Sequence, residues 1–565
     1  MPRFSLPSRQ KRSFELLWPG LLSLVLIGTV LGLAFSGLFS QITDLNPLRF
    51  LNNSYLWRLT AFTFFQAIVS TALATLLAIP VARALSRRPQ LPGRRLFLQL
   101  SSLSLIVPTI VGVFGIIAVH GRQGWVNQIL GFFNSETNSY LYGLTGILIA
   151  HVFFNAPLLT RIFLETLESL PREYWRSTAQ LGLSDRDIFR LIEWPGLRKI
   201  LPASCGLVFL LCFTSFIIVL TLGGGPSTNT LEVAIYQALR FDFDIPKAAT
   251  LAMTQLVFCF SILLLGRKFI RRMPLSQTEE RQIRRFDADK PCAKIIDTLA
   301  LLLMALLVLP PLLATVWKAI TPRFFTTLSE SRLWDAALTS LAVSLSAGML
   351  SLLLALGLAL TLRSLYLPSR LGGESYAGIL SATLDFSGSL ILLLPPFVLA
   401  TGLFITLKNS SGLSLLAPLL VVTINALMAL PFVLRLLAPA FEAAAQKSDL
   451  LCNSLDIRGL NRLRLIDWPQ NRKSVGLALG LAVALSTGDL SVIALFGTQD
   501  FATLPLYMYQ KMGSYRFEDA AVVAFVLCLQ SLGLFIVIER LVSGKTIRPF
   551  SRTQHQTSER VSHGI

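Results

Sequence analysis

The string Ser543-Gly544-Lys545-Thr546 has the residue types that cradle a nucleotide phosphate: a tight turn, a lysine for the terminal phosphates and a hydroxyl for magnesium. Its spacing fails. The leading glycine of such a loop would have to stand where Glu539 is, and an apolar run, not a strand, precedes it. Gly544 and Lys545 read instead as a helix end with an interfacial cation. Metal chemistry lacks spacing too: His120, His151, His555 and His563 have no cysteine or carboxylate cluster around them. The six cysteines, Cys205, Cys212, Cys259, Cys292, Cys452 and Cys528, are scattered and mostly lie inside apolar runs, as small packing residues do. With no His, Asp or Ser constellation on one face, the chain is expected not to be an enzyme and to carry no metal or cofactor of its own.

One ionisable residue stands out. Asp489 lies inside an apolar run, "ALSTGDLSVIALFG", eight residues before Gly497. A carboxylate in a membrane span costs about 2.5–3.5 kcal/mol unless it faces water or a partner, and such residues often lie on a substrate route. Its counterpart in "LCFTSFIIVLTLG" is Ser215, with Thr214 beside it, so one carboxylate would face two hydroxyls. Asn155 and Asn425, just before Pro157 and Pro431, could add hydrogen bonds to such a route. Helix packing accounts for the asparagines equally well, and for Asp489 the alternative is a bond to a helix end or to a hydroxyl across an interface.

These residues must be held by membrane helices. The chain has 565 residues, of which 53% are hydrophobic and 14% charged, and its mean hydropathy is +0.63. That is too apolar for a water-soluble domain of this size. Charge-free runs of about 20 residues, the length that crosses a hydrocarbon core, open near Leu16, Leu59, Leu96, Leu141, Ile200 and Ala248. Six more open near Thr298, Ala336, Phe386, Leu413, Ser474 and Ala520. Only helices satisfy their backbone groups in such segments, so the fold class is an all-α polytopic membrane protein of about twelve transmembrane helices. The first run is uninterrupted from Leu16 to Thr43, too long for a cleaved signal peptide. A net charge of +19 does not indicate nucleic acid, because the basic residues sit in short loops and no basic domain is present. With the N-terminus inside, about 39 of the 50 Lys and Arg fall on the cytoplasmic side. Both termini are therefore expected in the cytoplasm.

The chain is written twice, at an offset of 274. Pro157 and Arg161 in "NAPLLTR" match Pro431 and Arg435 in "ALPFVLR", and "LIEWP" ending at Pro195 matches "LIDWP" ending at Pro469. Gly223 matches Gly497, and after a one-residue slip "TLEVAIYQ" from Thr230 meets "TLPLYMYQ" from Thr503. Upstream, Pro108 and Gly115 share their spacing with Pro395 and Gly402, and Trp57 resembles Trp334. Six spans per half make the copies parallel, related by an axis along the membrane normal. The expected organisation is a cytoplasmic tail over 1–15, a first repeat over 16–272, a cytoplasmic linker over 273–293, a second repeat over 294–545 and a cytoplasmic tail over 546–565.

After the fourth span of each half comes a connection of roughly 40 residues, over 161–199 and 435–473, longer than ordinary connections. The first reads as one helical stretch to Leu181, a turn at Gly182 and Leu183, an N-cap at Ser184 and a second stretch ended by Pro195. This pattern resembles the membrane subunits of binding-protein-dependent ABC importers, whose cytoplasmic "Glu-Ala-Ala, three residues, Gly, about a dozen residues, Leu-Pro" loop docks on the ATP-binding subunit. The family's Glu-Ala-Ala falls on Arg176, Ser177 and Thr178, followed by Ala179; its Leu-Gly falls on Leu181 and Gly182, its Phe on Phe189 and its Pro on Pro195. In the second half the matching positions are Ser454, Leu455 and Asp456, with Pro469 closing the motif; Asp456 stands where the family has Gly, and aspartate tolerates a positive φ.

"GRQGW" (121–125), "LIAHVFFNAP" (148–157), "LGGGP" (222–226), "AIYQAL" (234–239) and "TLPLYMYQ" (503–510) further resemble the fused, twelve-span permeases of thiamine importers; double-length iron(III) permeases share that architecture. The resemblance implies import of thiamine or its phosphate esters by alternating access. It implies as partners two copies of an ATP-binding subunit, which would hold ATP and Mg, a periplasmic substrate-binding protein and the bilayer of the inner membrane. A twelve-span secondary carrier, also a parallel pseudo-dimer, usually places ionisable residues in its spans. Here the spans are nearly free of charge, and the loop from Arg83 to Arg95 is purely basic.

Overall fold

In the computed structural model the apolar runs are helices, and no strand occurs among the described residues. The structure describes residues 9–41, 54–94, 96–99, 106–132, 140–225, 228–266, 285, 287, 290–370, 391, 394–408, 413–455, 457 and 459–543. Ten helices among them are long and apolar enough to cross a membrane. The third segment of each half departs from a full-length span. It is a 12-residue helix, Thr109–His120 in the first half and Pro396–Leu407 in the second, and each starts directly after a proline, Pro108 or Pro395. Twelve residues rise about 18 Å, less than the ~30 Å core. The expected all-α architecture of about twelve helices is thus met by ten helices long and apolar enough to cross and two short apolar helices at matched places.

The repeat is visible as pairs of equal helices. Trp194–Phe213 and Trp468–Thr487 have 20 residues each, Ile217–Leu222 and Ser491–Phe496 six each, and Leu231–Arg240 and Leu504–Gly513 ten each. The ten-residue helices are pinned alike to the second long helix of their half. The Leu231 N–H donates to Thr63 Oγ1 at 3.2 Å, and the Leu504 N–H donates to Ser340 Oγ at 2.7 Å. Each bond satisfies one of the donors that a helix N-terminus leaves open.

The first long helix of each half packs on the other half. Arg9–Ser40 lies against Ser331–Arg370 and Pro396–Leu407, while Pro291–Ala319 lies against Ser54–Arg87 and Thr109–His120. Gly402 and Gly115, matched in the sequence, make both crossings possible: a Cβ on Gly402 would sit 2.2 Å from the Ala34 carbonyl oxygen, and one on Gly115 2.3 Å from that of Pro311. Small residues permit this backbone approach in lipid, where the hydrophobic effect does not drive helices together. Polar bonds add to it: the Gly20 N–H donates to Thr361 Oγ1 at 3.0 Å and Thr406 Oγ1 donates to the Leu33 carbonyl at 2.8 Å. The two repeats therefore exchange their first helices.

Candidate functional site

The fourth long helix of the first half, Leu144–Glu168, stops before Leu170 and Pro171; Pro171 caps a separate nine-residue helix, Arg172–Gln180. Proline fits there because the first turn of a helix needs no donor. The short helix carries Ser177 and Ala179 outward and Thr178 inward. It closes with paired bonds, from the Leu183 N–H to the Thr178 carbonyl at 3.2 Å and from the Gly182 N–H to the Ala179 carbonyl at 3.4 Å, with Gly182 at φ +60°. That is a left-handed cap requiring a residue without Cβ strain. Leu181 is left 73% exposed at the tip. Ser184 Oγ then accepts from the Asp187 N–H at 3.2 Å, as an N-cap does.

The second stretch differs from the expectation that Pro195 ends it. Asp185–Ile188 runs into a single π-turn, Phe189–Glu193, and on into the fifth long helix Trp194–Phe213. Pro195, the second residue of that helix, directly follows the π-turn inside this continuous run. Phe189 is held between the Arg83 guanidinium, 4.5 Å from its ring centre, and Trp194.

In the second half the residue at the place of Pro171 is Ala445, so the fourth helix runs unbroken as Leu413–Ser454. Ser454 Oγ donates to the Leu451 carbonyl at 2.8 Å, and Leu455, the counterpart of Leu181, is 60% exposed. Asp456 lies outside the described residues, yet the flanking Ile457 N–H donates to the Cys452 carbonyl at 3.0 Å, the same bond as Leu183 to Thr178. Gly459–Arg462, the π-turn Leu463–Asp467 and the helix from Trp468 follow, with Pro469 in its first turn.

Sequence reading missed what locks these loops. Glu193 and Asp467, the last residues of the two π-turns, are buried. Glu193 is bound by Arg83, from the end of the second long helix, and by Arg285 at 2.7 Å. Asp467 is bound by Arg363 at 2.5 Å and by Arg462 at 3.8 Å. Arg87 joins Asp185 to Asp287 and Asp297, the last two at 3.2 Å. The signal in the sequence is an acid directly before Trp-Pro in both copies, Glu193 and Asp467.

The intramembrane residues do not converge into one cluster. The fifth helix of each half breaks, after Phe213 and after Thr487, and restarts at Ile217 and at Ser491. Asp489 lies in the second break, not in continuous helix: its carboxylate accepts from the Ser491 and Val492 N–H groups at 3.3 and 3.2 Å. In the first break Gln66 Nε2 donates to the Cys212 carbonyl at 2.9 Å, Thr214 Oγ1 donates to the Leu210 carbonyl at 2.9 Å, and Ser215 is half-buried. Asn155 Nδ2 reaches the His151 carbonyl and Cys212 Sγ, and Asn425 Nδ2 reaches Ser486 Oγ at 3.1 Å, so both link the fourth and fifth helices of their own half. A second acid emerges in the segment after the break. Glu232, fully buried, accepts from Gln255 Nε2 at 2.9 Å and is within electrostatic reach of Asp489. Phe216 and Phe397, 4.2 Å apart with Tyr236 against both, fill the seam between the halves.

Residues 74–274 match the family model described as binding-protein-dependent transport system inner membrane component. The thiamine transport system permease protein ThiP of Brucella abortus (strain 2308) is 43% identical over 493 residues, covering 87% of this chain and 89% of that protein. The protein of the same name from Escherichia coli (strain K12) is 41% identical over 523 residues, 93% and 96% of the two chains. That of Haemophilus influenzae is 40% identical over 510 residues, 90% and 93%. Identity at this level along nearly the whole length, in a multi-pass helical chain with two matched loops after its fourth helices, makes this chain a member of the binding-protein-dependent transport permeases, the inner-membrane components of ATP-driven importers.

Proposed function

We propose that this chain carries thiamine or its phosphate esters from the periplasm to the cytoplasm by alternating access, driven by ATP hydrolysed on a separate subunit that holds the nucleotide and its Mg. The observation that carries the coupling is the matched pair Leu181 and Leu455, large apolar side chains exposed at the tips of equivalent loops. Single exposed leucines are ordinary on protein surfaces; it is their matched placement at the tips of two equivalent loops that fits contact with another protein. Two such tips fit two copies of the ATP-binding subunit, with a periplasmic binding protein delivering cargo at the opposite face. Both termini then lie in the cytoplasm with the linker over 273–293, and the chain itself catalyses nothing. The cargo assignment is supported by relatives named for thiamine transport at 40–43% identity. Asp489, at the break of the fifth helix, is the group we assign to the cation's route, with Thr214 and Ser215 at the matching break.

Two measurements test this. Single cysteines at Ala179 and Asn453 should crosslink to the ATP-binding subunit and resist labelling from the periplasm; absence of any crosslink in every nucleotide state refutes the docking. Cells lacking the chain should regain uptake of labelled thiamine when it is restored. Restored iron(III) uptake with unchanged thiamine uptake would assign the cargo to iron(III) instead.

A further inference from the structure

Each buried acid is held by one arginine from the second long helix of its half, Arg83 on Glu193 and Arg363 on Asp467, and by a second arginine whose origin differs between the loops. At the repeat offset of 274, Trp175 matches Asp449, Ile188 matches Arg462 and Glu193 matches Asp467. In the second loop, Arg462 stands between the other two residues of its set, bound to Asp449 and to Asp467. The first loop has no arginine at that place, because Ile188 occupies it and is buried.

Arg285, from the stretch joining the repeats, fills the gap. Its guanidinium lies 4.0 Å from the centre of the Trp175 ring and its Nη2 is 2.7 Å from Glu193 Oε1. Asp287 holds it in a forked pair, accepting from Nε at 3.0 Å and from Nη2 at 2.7 Å, and Nη1 reaches Ser86 Oγ at 3.4 Å. Arg285 and Asp287 are both buried, and Arg87 also binds Asp287. Burial pushes the Asp287 carboxyl up, but the bond and charge of Arg285 outweigh it and hold the group below the usual carboxylate range. A stacked, forked arginine is not interchangeable with lysine.

We infer that the linker is a working part of the first coupling loop: Arg285 supplies from outside the loop the arginine that the second loop carries as Arg462, and so ties the helix Arg172–Gln180 to Glu193 at the head of the fifth long helix. Motion of the docked helix reaches the membrane through this tie. The linker is therefore more than a tether between two permease halves. The inference rests on the reading of the loops as docking sites, and the test separates the two.

The purified complex of this chain with its ATP-binding subunit and binding protein is placed in liposomes, and thiamine delivered per ATP hydrolysed is measured. Arg285→Ala should lower that ratio at least about fivefold, the lower end of ordinary coupling between sites. Arg285→Lys, which keeps the charge and should assemble, should lower it less but measurably. Cutting an inserted protease site within 273–284 after assembly leaves Arg285 attached to the second half and should leave the ratio unchanged. An unchanged ratio in Arg285→Lys and Arg285→Ala overturns the inference, and so does a cut as damaging as Arg285→Ala, since the tether would then be what matters. Leu181→Asp is the control for docking. If it uncouples while the Arg285 variants do not, the linker inference alone fails; if it too changes nothing, the docking reading fails first and the inference falls with it.

Discussion

Gly182 offers a graded perturbation whose cost is set by backbone conformation alone. Its φ is +60°, and a Cβ placed there meets nothing within 4 Å. A substituted Cβ would thus meet no neighbour, and its penalty is that of the left-handed region, about 1–2 kcal/mol for an L-residue. Asparagine is the mildest choice because it visits that region readily, alanine is intermediate, and a β-branched valine is the worst. Such a cost lowers the population of the turned conformer by about 5–30-fold. The turn also carries the bonds from Leu183 to Thr178 and from Gly182 to Ala179, which fix the exposed Leu181 at the loop tip. Transport per ATP in liposomes should therefore fall in the order Gly182→Asn, Gly182→Ala, Gly182→Val. Thermal stability in detergent should barely move, because the site is exposed. A Gly182→Val complex that couples like the unsubstituted one, or three variants with equal effect, would refute the requirement for a left-handed residue.

Gly402→Val should destabilise the chain by about 1–3 kcal/mol, the usual cost of overpacking, because its Cβ would lie 2.2 Å from the Ala34 carbonyl; Gly28→Ala and Gly32→Ala, which meet nothing within 4 Å on the crossing helix, should be neutral or stabilising in the same thermal assay. Glu193→Ala leaves Arg285 buried without one of its partners, a change that costs about 3–5 kcal/mol in fully buried pairs and less here because Arg83 keeps contact with water; limited proteolysis should open the loop near Pro195 first. Asp489→Ala removes both acceptors for the restarting helix and should cost about 1 kcal/mol of stability, as a lost helix cap does. Asp489→Asn retains one oxygen acceptor, so near-normal stability with reduced thiamine transport supports the route, whereas unchanged transport and coupling remove the carboxylate from it. At Glu330, partial burial raises the carboxyl but the bonds from Lys511 and Tyr507 outweigh it and hold it low. Its stabilisation is present above the unfolded value near 4.3 and lost as pH falls through the lowered folded value, so Glu330→Gln should differ from the unsubstituted chain in melting temperature at pH 7 and converge with it in acid.

Some of this was legible in the letters. The offset of 274 and the one-residue slip before Thr503 reappear as helices of equal length, because Pro, Gly and Trp-Pro positions punctuate the backbone directly. The turn at Gly182 and the cap at Ser184 were readable for the same local reason. The break at Asp489 was not, since apolar residues run through it on both sides and hydropathy does not register a freed backbone group. The exchange of first helices was hidden because Gly115 and Gly402 are two among 36 glycines, and only a neighbouring backbone reveals which glycine is crowded. Glu232 carries no signal in the sequence because its segment lies between two apolar runs, as a connecting loop would; the structure makes it a buried helix.

Fusion of the two halves explains where the repeat is kept and where it is not. In a dimer of identical chains each residue must serve both sides of the axis, so a change that helps one side is imposed on the other. A fused chain is free of that constraint, and several of its matched positions differ in the polar contacts they make. Pro171 is matched by Ala445, Trp175 by Asp449, Ile188 by Arg462, Glu232 by Pro505, and Ser215 by Asp489. Several positions that set backbone geometry are retained: Pro195 with Pro469, Gly115 with Gly402, and the paired bonds of Leu231 to Thr63 and Leu504 to Ser340. Both halves thus share one frame for moving, while charge is distributed unevenly over it. On the proposed route a cargo would meet a carboxylate from one half and hydroxyls from the other, and in the proposed coupling each loop would pass on its motion partly through an arginine of different origin. An equal loss of coupling from Arg285→Ala and Arg462→Ala would mean that the two origins serve one mechanical purpose, and a loss confined to one of them would mean that the importer drives its halves unequally.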